Sequence, residues 1–288
     1  KRIVEAAAGP VIVVVSALGG VTDRLLALSQ QAKAGGEDYR TGVEELRARH
    51  QEMIDTVIEM EKRKALSLRI NALIDELASI LHGVSLIQDL PAKTSDAIVA
   101  YGERLSSLIC ADLIAGAQHF DARMIIKTRR KEEKHVVDFD ETNALICSTF
   151  AAGGPVSVVG GFIAADAVSG ATTNLGRGGS DYTAAIIAAA MDAEALEIWT
   201  DVDGFMTADP RVVPTEYTID ELTYSEAMEL CNFGAKVVYP PTIYPVCAKN
   251  IPIFVKNTLN PSARGSVIRS NARQSERPIR GISSVNEM

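Results

Sequence analysis

Histidine, tryptophan and cysteine are scarce in this chain of 288 residues, which holds 4 His, 1 Trp and 4 Cys. Cys110, Cys147, Cys231 and Cys247 lie far apart, with no CxxC pair and no histidine at zinc spacing. That excludes a zinc-ribbon or a disulfide scaffold and leads us to expect reduced, mostly buried thiols and a cytoplasmic location. Long apolar runs are also missing. The longest, Val11 to Val21, is interrupted by Ser16, Gly19 and Gly20 and is too short to span a bilayer. No signal peptide precedes it, although the chain opens in what reads as mid-helix, Lys1 to Ala8, so an upstream segment is expected. Positive charge is in deficit: 29 Lys and Arg face 37 Asp and Glu, for a net charge of -8 and a pI near 5.2. No surplus of cations exists to displace counterions from nucleic acid or to hold an anionic membrane, so any anionic ligand must be met by local positive groups. The familiar nucleotide signatures are absent as well, with no GxxxxGK[ST] loop, no GxGxxG after a strand and no HRD or DFG pair.

What is present reads as a soluble globular α/β chain, 47% hydrophobic and 23% charged, long enough for one large or two ordinary domains. Val11 to Val15 is a continuous β-branched run that predicts a strand buried on both faces, turning through Ser16 to Gly20 into a helix. From Val43 to Leu86 apolar residues recur at helical spacing, predicting an antiparallel helix pair that caps the sheet. A further long helix is expected from about Ser95 to Gln118. Strands are expected at Met124 to Lys127, Val156 to Gly160, Leu196 to Thr200, Ile253 to Val255 and Ser266 to Ile268. Helices at Glu141 to Ala151, Tyr182 to Met191, Ser225 to Leu230 and from Pro240 alternate with them, the pattern of a layered, largely parallel sheet. Asn271 to Arg280 reads as a linker.

The segment TNLGRGGSDY, Thr173 to Tyr182, is the most informative in the chain. Gly176, Gly178 and Gly179 bracket Arg177 and lead into Ser180, Asp181 and a helix, which can be read as an anion site: free N–H groups, a helix N-terminus and a planar guanidinium fork. It can equally be read as a glycine turn with an N-cap serine and a first-turn aspartate. Ser16 to Thr22, Gly160-Gly161, Arg177 to Asp181 and Thr200-Asp201 all fall at the carboxyl ends of predicted strands, where ligands of open α/β sheets gather. His50, His82 and His119 fall on predicted helices and His135 in a charged stretch, all read as solvated or capping. A site without histidine suits transfer to an acceptor already ionised at neutral pH, such as a carboxylate, by positioning and charge screening. By spacing alone, Arg211 and Lys236 read as surface cations and Glu103 as an ordinary helical carboxylate.

GERLSSL (Gly102 to Leu108), GGFIAAD (Gly160 to Asp166), TTNLGRGGSDYTAA (Thr172 to Ala185), IWTDVDGFMTADPR (Ile198 to Arg211) and the run EAMELCNFGAKVVYP ending at Pro240 resemble aspartokinases of the amino-acid kinase superfamily, in order and over essentially the whole chain. The helical segment with LHGVSLIQDLP (Leu81 to Pro91) is most similar to the kinase portion of bifunctional aspartokinase–homoserine dehydrogenases.

The resemblance implies a three-layer αβα sandwich with a largely parallel central sheet. An N-terminal lobe, about residues 1–165, would hold L-aspartate, and a C-terminal lobe, about 166–270, would hold Mg2+ and ATP. Residues 271–288 would be a linker and the start of a regulatory ACT region. Arg177 would grip the substrate α-carboxylate, Glu103 its ammonium group, and Thr22 would border the pocket. Ser180 and Asp181 would line the reacting centre, Asp181 organising a catalytic lysine, while Thr200, Asp201, Arg211 and Lys236 would contact ATP. The implied activity makes 4-phospho-L-aspartate for threonine, methionine and lysine synthesis, in a homodimer or higher homo-oligomer, and the alternatives are a related amino-acid kinase or an inactive regulatory fragment. Met206 replaces a frequent family tyrosine. Family members open with a strand and a KFGGTS segment whose lysine stabilises the transferring group, and this sequence starts after it. The expectation is a fold lacking one central strand and turnover lowered by ~10³-fold or more.

Overall fold

The computed structural model describes residues 1–132, 134–208, 212, 213, 215–235, 237–272, 279, 281 and 282. Two compact units follow one another in the chain, Lys1–Ser180 and Asp181–Met288.

The first unit opens with a short α1 (Arg2–Glu5) and the five-residue β1 (Val11–Val15). Gly20, at φ 75 where a Cβ would be strained, turns the chain from β1 into α2 (Val21–Lys33). Then come α3 (Asp38–Val57), α4 (Met60–Ile87), α5 (Ala92–Val99), α6 (Tyr101–Leu113), β2 (Ala117–Phe120), α7 (Ala122–Ile125), β3 (Lys127–Lys131) and β4 (Lys134–Val137). The unit closes with α8 (Phe139–Phe150), β5 (Val156–Gly160), β6 (Ile163–Asp166), β7 (Thr172–Asn174) and the first two residues of α9 (Gly179–Ala190). β1, β5 and β2 form a parallel sheet in that order, with Val13 opposite Val158 and Val15 opposite Gly160. A second sheet runs β4-β3-β6-β7, parallel only between β3 and β6.

The expected helix pair is α3 and α4, joined through Ile58 and Glu59 and packed antiparallel, with Arg47 of α3 reaching Asn71 and Asp75 of α4. It does not cap the sheet. Its apolar stripes pack on α2 and α6, in a core of side chains such as Leu25, Leu28, Leu46, Ile54, Ile74, Leu77 and Leu105 that are fully or almost fully buried. Each such burial is worth about 1.5–3 kcal/mol. Among the described residues α4 is the one helix long and apolar enough to cross a membrane, but its Leu66, Ile70, Ile74, Leu77, Leu81 and Val84 are spent in this core.

The second unit holds the rest of α9, β8 (Leu196–Thr200), β9 (Glu221–Leu222), α10 (Tyr224–Asn232), α11 (Pro240–Cys247), β10 (Ile253–Asn257) and β11 (Ser266–Ile268). Its sheet runs β8-β10-β11-β9, with β8 parallel to β10, and buries Ile198, Ile253, Val255 and Ile268 with Phe205, Ile243 and Val246. A capping box between Thr223 and Glu226 starts α10, and Pro240 starts α11.

Several expectations fail locally. Residues Met124 and Ile125 belong to the helical turn α7, which Asp121 caps by accepting from the Arg123 N–H, and the strand begins only at Lys127. The helix expected to reach Gln118 stops at Leu113: Ile114 is extended, Gly116 takes φ 71, and Gln118 and His119 lie in β2. The opening helix is confined to Arg2–Glu5. His50 is not solvated but wholly buried, with Nδ1 at 2.7 Å from the Leu46 carbonyl and Nε2 without a partner among the described residues. His119 bonds Ser107 Oγ at 2.9 Å. All four cysteines are free thiols, but none is fully buried, and Cys147 is exposed.

Candidate functional site

The carboxyl ends of β1 and β5 are neighbours, tied where the Gly161 N–H donates to the Val15 carbonyl at 2.8 Å. Helix α6 is fastened to the same edge: Ser106 Oγ donates to the Ser16 carbonyl at 2.7 Å, and Glu103 Oε1 accepts from the Ala17 N–H at 3.2 Å. Two glycines permit the approach. A Cβ on Gly102 would stand 2.7 Å from the Ala17 Cβ, and one on Gly161 would stand 2.6 Å from the Ser180 Cα. The strand ends therefore gather Glu103 and Ser180 within the first unit. Thr22, half-buried in the first turn of α2, follows Val21, whose Cγ1 would lie 3.6 Å from that Gly102 Cβ.

Glu103 is 4% exposed, and its Oε2 has no hydrogen-bond partner among the described residues. Burial pushes its carboxyl up to about 7, only partly opposed by the Ala17 N–H. A buried carboxylate with unspent lone pairs is a seat for a cation that brings its own N–H donors.

The glycine loop is anchored at both ends. The Leu175 N–H donates to the Phe162 carbonyl at 2.8 Å, and the Gly179 N–H closes onto the Gly176 carbonyl at 3.0 Å. Gly176 and Gly178 take φ 75 and 65, which holds Arg177 out of the packed interior; its guanidinium is exposed and makes no hydrogen bond or ion pair among the described residues. The second unit begins at Asp181, whose carboxyl is pushed up to about 6 by burial alone.

In the second unit Thr200 ends β8, its hydroxyl donating to Asp201 Oδ1 at 3.2 Å and its carbonyl accepting from the Thr258 N–H at 2.8 Å. Met206 bridges to Thr218. Arg211 and Lys236 lie outside the described residues. Among the described residues no group of three or more His, Cys, Asp or Glu side chains could hold a metal ion. A cavity of about 100 Å³ at the end of β2 is lined by Arg104, Ser107, His119, Asp121 and Arg123, but Glu76 and Asp121 already hold its two guanidiniums. Ala17 lies inside the Ser16 to Thr22 segment expected at this edge, but its contribution is a backbone N–H, which no side-chain pattern singles out within that segment.

Three comparisons bear on this arrangement. Lysine-sensitive aspartokinase 3 of Escherichia coli is 34% identical over 270 residues, covering 89% of this chain and 57% of the relative. A bifunctional aspartokinase/homoserine dehydrogenase of Haemophilus influenzae is 43% identical over 152 residues, 53% of this chain and 18% of that protein. The crystal structure of E. coli aspartokinase III in complex with aspartate and ADP superposes with a TM-score of 0.86 at 30% identity, covering 97% of this chain and 62% of that one. The αβα fold expected from the sequence is therefore present, and the chain spans little more than half the length of the first of these relatives. The family described as the amino acid kinase family matches residues 1–257, all of the first unit and most of the second, and to that family the chain belongs.

Proposed function

We propose that this chain is the kinase region of an aspartate kinase, transferring the γ-phosphoryl group of ATP to the β-carboxylate of L-aspartate to give 4-phospho-L-aspartate. One observation carries the reading: a buried, half-unpartnered carboxylate, Glu103, shares its strand ends with the Arg177–Ser180 loop. A free α-amino acid needs both an anion for its ammonium and a cation for its carboxylate. Glu103 takes the first role and Arg177 the second, with Thr22 and Ser180 bordering the substrate. The acceptor carboxylate is ionised at neutral pH and requires no general base, so the protein's work is positioning and screening of charge. Asp181 orients a cationic side chain toward the transferring group. Thr200, Asp201, Arg211 and Lys236 serve ATP, and Mg2+ enters with the nucleotide phosphates, as it usually does in kinases.

On this reading about 1–165 is the aspartate lobe, about 166–270 the nucleotide lobe, and 271–288 leads into a regulatory region. The protein is a cytoplasmic homodimer or higher homo-oligomer with no nucleic-acid or membrane partner. Coupled-enzyme assays of the full-length protein with ATP and L-aspartate, L-glutamate or N-acetyl-L-aspartate test it. Free aspartate should be the best acceptor, and turnover of the acetylated compound above that of aspartate would overturn the assignment.

A further inference from the structure

The loop carrying Arg177 is held at its far end by the close approach of Ser180 to Gly161. At its near end the backbone pairs with β6 and the Leu175 N–H donates to the Phe162 carbonyl, and a side chain adds a tie to a different element, α5. Asn174 ends β7, and its Nδ2 reaches α5, donating to Asp96 Oδ1 at 3.0 Å and to the Asp96 carbonyl at 3.4 Å. Its own Oδ1 is sealed from solvent and has no partner among the described residues. An amide in that position asks for a neighbour that can both accept and donate. A carboxyl group bearing a proton meets that demand, because its hydroxyl can return a hydrogen bond to Asn174 Oδ1 and close a two-point acid–amide pair. Burial raises the Asp96 carboxyl, against the opposing influence of the Asn174 amide and the nearby His135.

We propose that Asp96 and Asn174 are positioning residues for the acceptor site: their carboxyl–amide pair fastens the residue three before Arg177 to α5, and so fixes where the guanidinium stands. The inference rests on the reading that Arg177 grips the acceptor. Neither side chain touches substrate. Their effect passes through the backbone of Leu175 and Gly176, so it falls on recognition of the acceptor rather than of the nucleotide.

Steady-state kinetics of the full-length protein, with melting curves for every variant, test the proposal. Asn174→Ala and Asp96→Ala should each raise the KM for L-aspartate roughly tenfold or more while the KM for ATP stays within about twofold. Asp96→Asn, whose amide can accept from and donate to Asn174, should keep the wild-type KM. Asn174→Asp, which sets carboxyl against carboxyl, should behave like the alanine variant. Should the alanine variants fail to fold, the Asp96→Asn and Asn174→Asp pair, which changes almost no volume, decides the matter. An Asp96→Asn enzyme with a raised aspartate KM, or an Asn174→Asp enzyme with an unchanged one, overturns the proposal provided Arg177→Ala still raises that KM. If Arg177→Ala leaves it unchanged, it is the reading of the loop as the acceptor site that fails, and the positioning role falls with it.

Discussion

Replacing Glu103 by Gln should make the ligand-free protein more stable at alkaline pH and useless for amino-acid binding. The folded carboxyl titrates at about 7 against an ordinary value of 4.5. Below the ordinary value both folded and unfolded chains carry the proton and the site contributes nothing to pH dependence. Between 4.5 and about 7 the unfolded chain has released its proton while the folded one retains it, so folding stability falls as pH rises. Above about 7 the whole penalty is present; at about 1.4 kcal/mol for each unit, the displacement amounts to about 3 kcal/mol. Gln keeps the shape and can still accept from the Ala17 N–H, but carries no charge to desolvate. Urea unfolding of both proteins from pH 4.5 to 8.5 should show a gap in favour of Glu103→Gln that opens through this range and then levels off. Saturating L-aspartate should reduce the pH slope of the wild type, because an ammonium beside Glu103 favours its charged form, and should leave the variant unchanged. Parallel wild-type and variant curves across the whole range would refute the claim that burial, with only Oε1 bonded among the described residues, raises this carboxyl.

Three further outcomes follow from the structure. Gly161→Ala places a Cβ 2.6 Å from the Ser180 Cα, backbone that cannot swing aside, so the loop must shift; kcat/KM for aspartate should drop at least about tenfold with a stability loss of about 1–3 kcal/mol by calorimetry. His50 is buried neutral, with burial lowering its pKa from 6.5, so the unfolded chain takes up the proton first and stability is lost as pH falls below about 6.5; His50→Leu should flatten that acid limb in denaturant titrations. Thr223→Ala removes one half of the α10 capping box and should cost about 1 kcal/mol in urea unfolding, with acceptor KM unchanged.

Much of the architecture could be read directly from residue order. Val11–Val15 and Leu196–Thr200 are strands with the expected bounds, although all five residues of β1 are only half-buried and not covered on both faces, and Pro240 begins a helix where its fixed φ and missing N–H are harmless. The α3–α4 stripes follow from helical spacing alone. Strand β2 was invisible, because Ala117–Phe120 is short and mixed in polarity and is held by pairing with β5, a partner far along the chain. Glu103, Arg177 and Ser180 stand out only through the motifs around them, since composition and spacing leave each of them open to a plain structural role.

Residue order settled which chemical groups the chain owns and which segments must bury apolar faces, because those preferences act over a few neighbouring residues. Folding alone decided that Glu103 loses its water with one oxygen unpaired, that Ser180 meets Gly161, and that Asn174 finds Asp96 78 residues away. Desolvation and close approach depend on what the rest of the chain brings to the same point in space, and no local pattern carries that information.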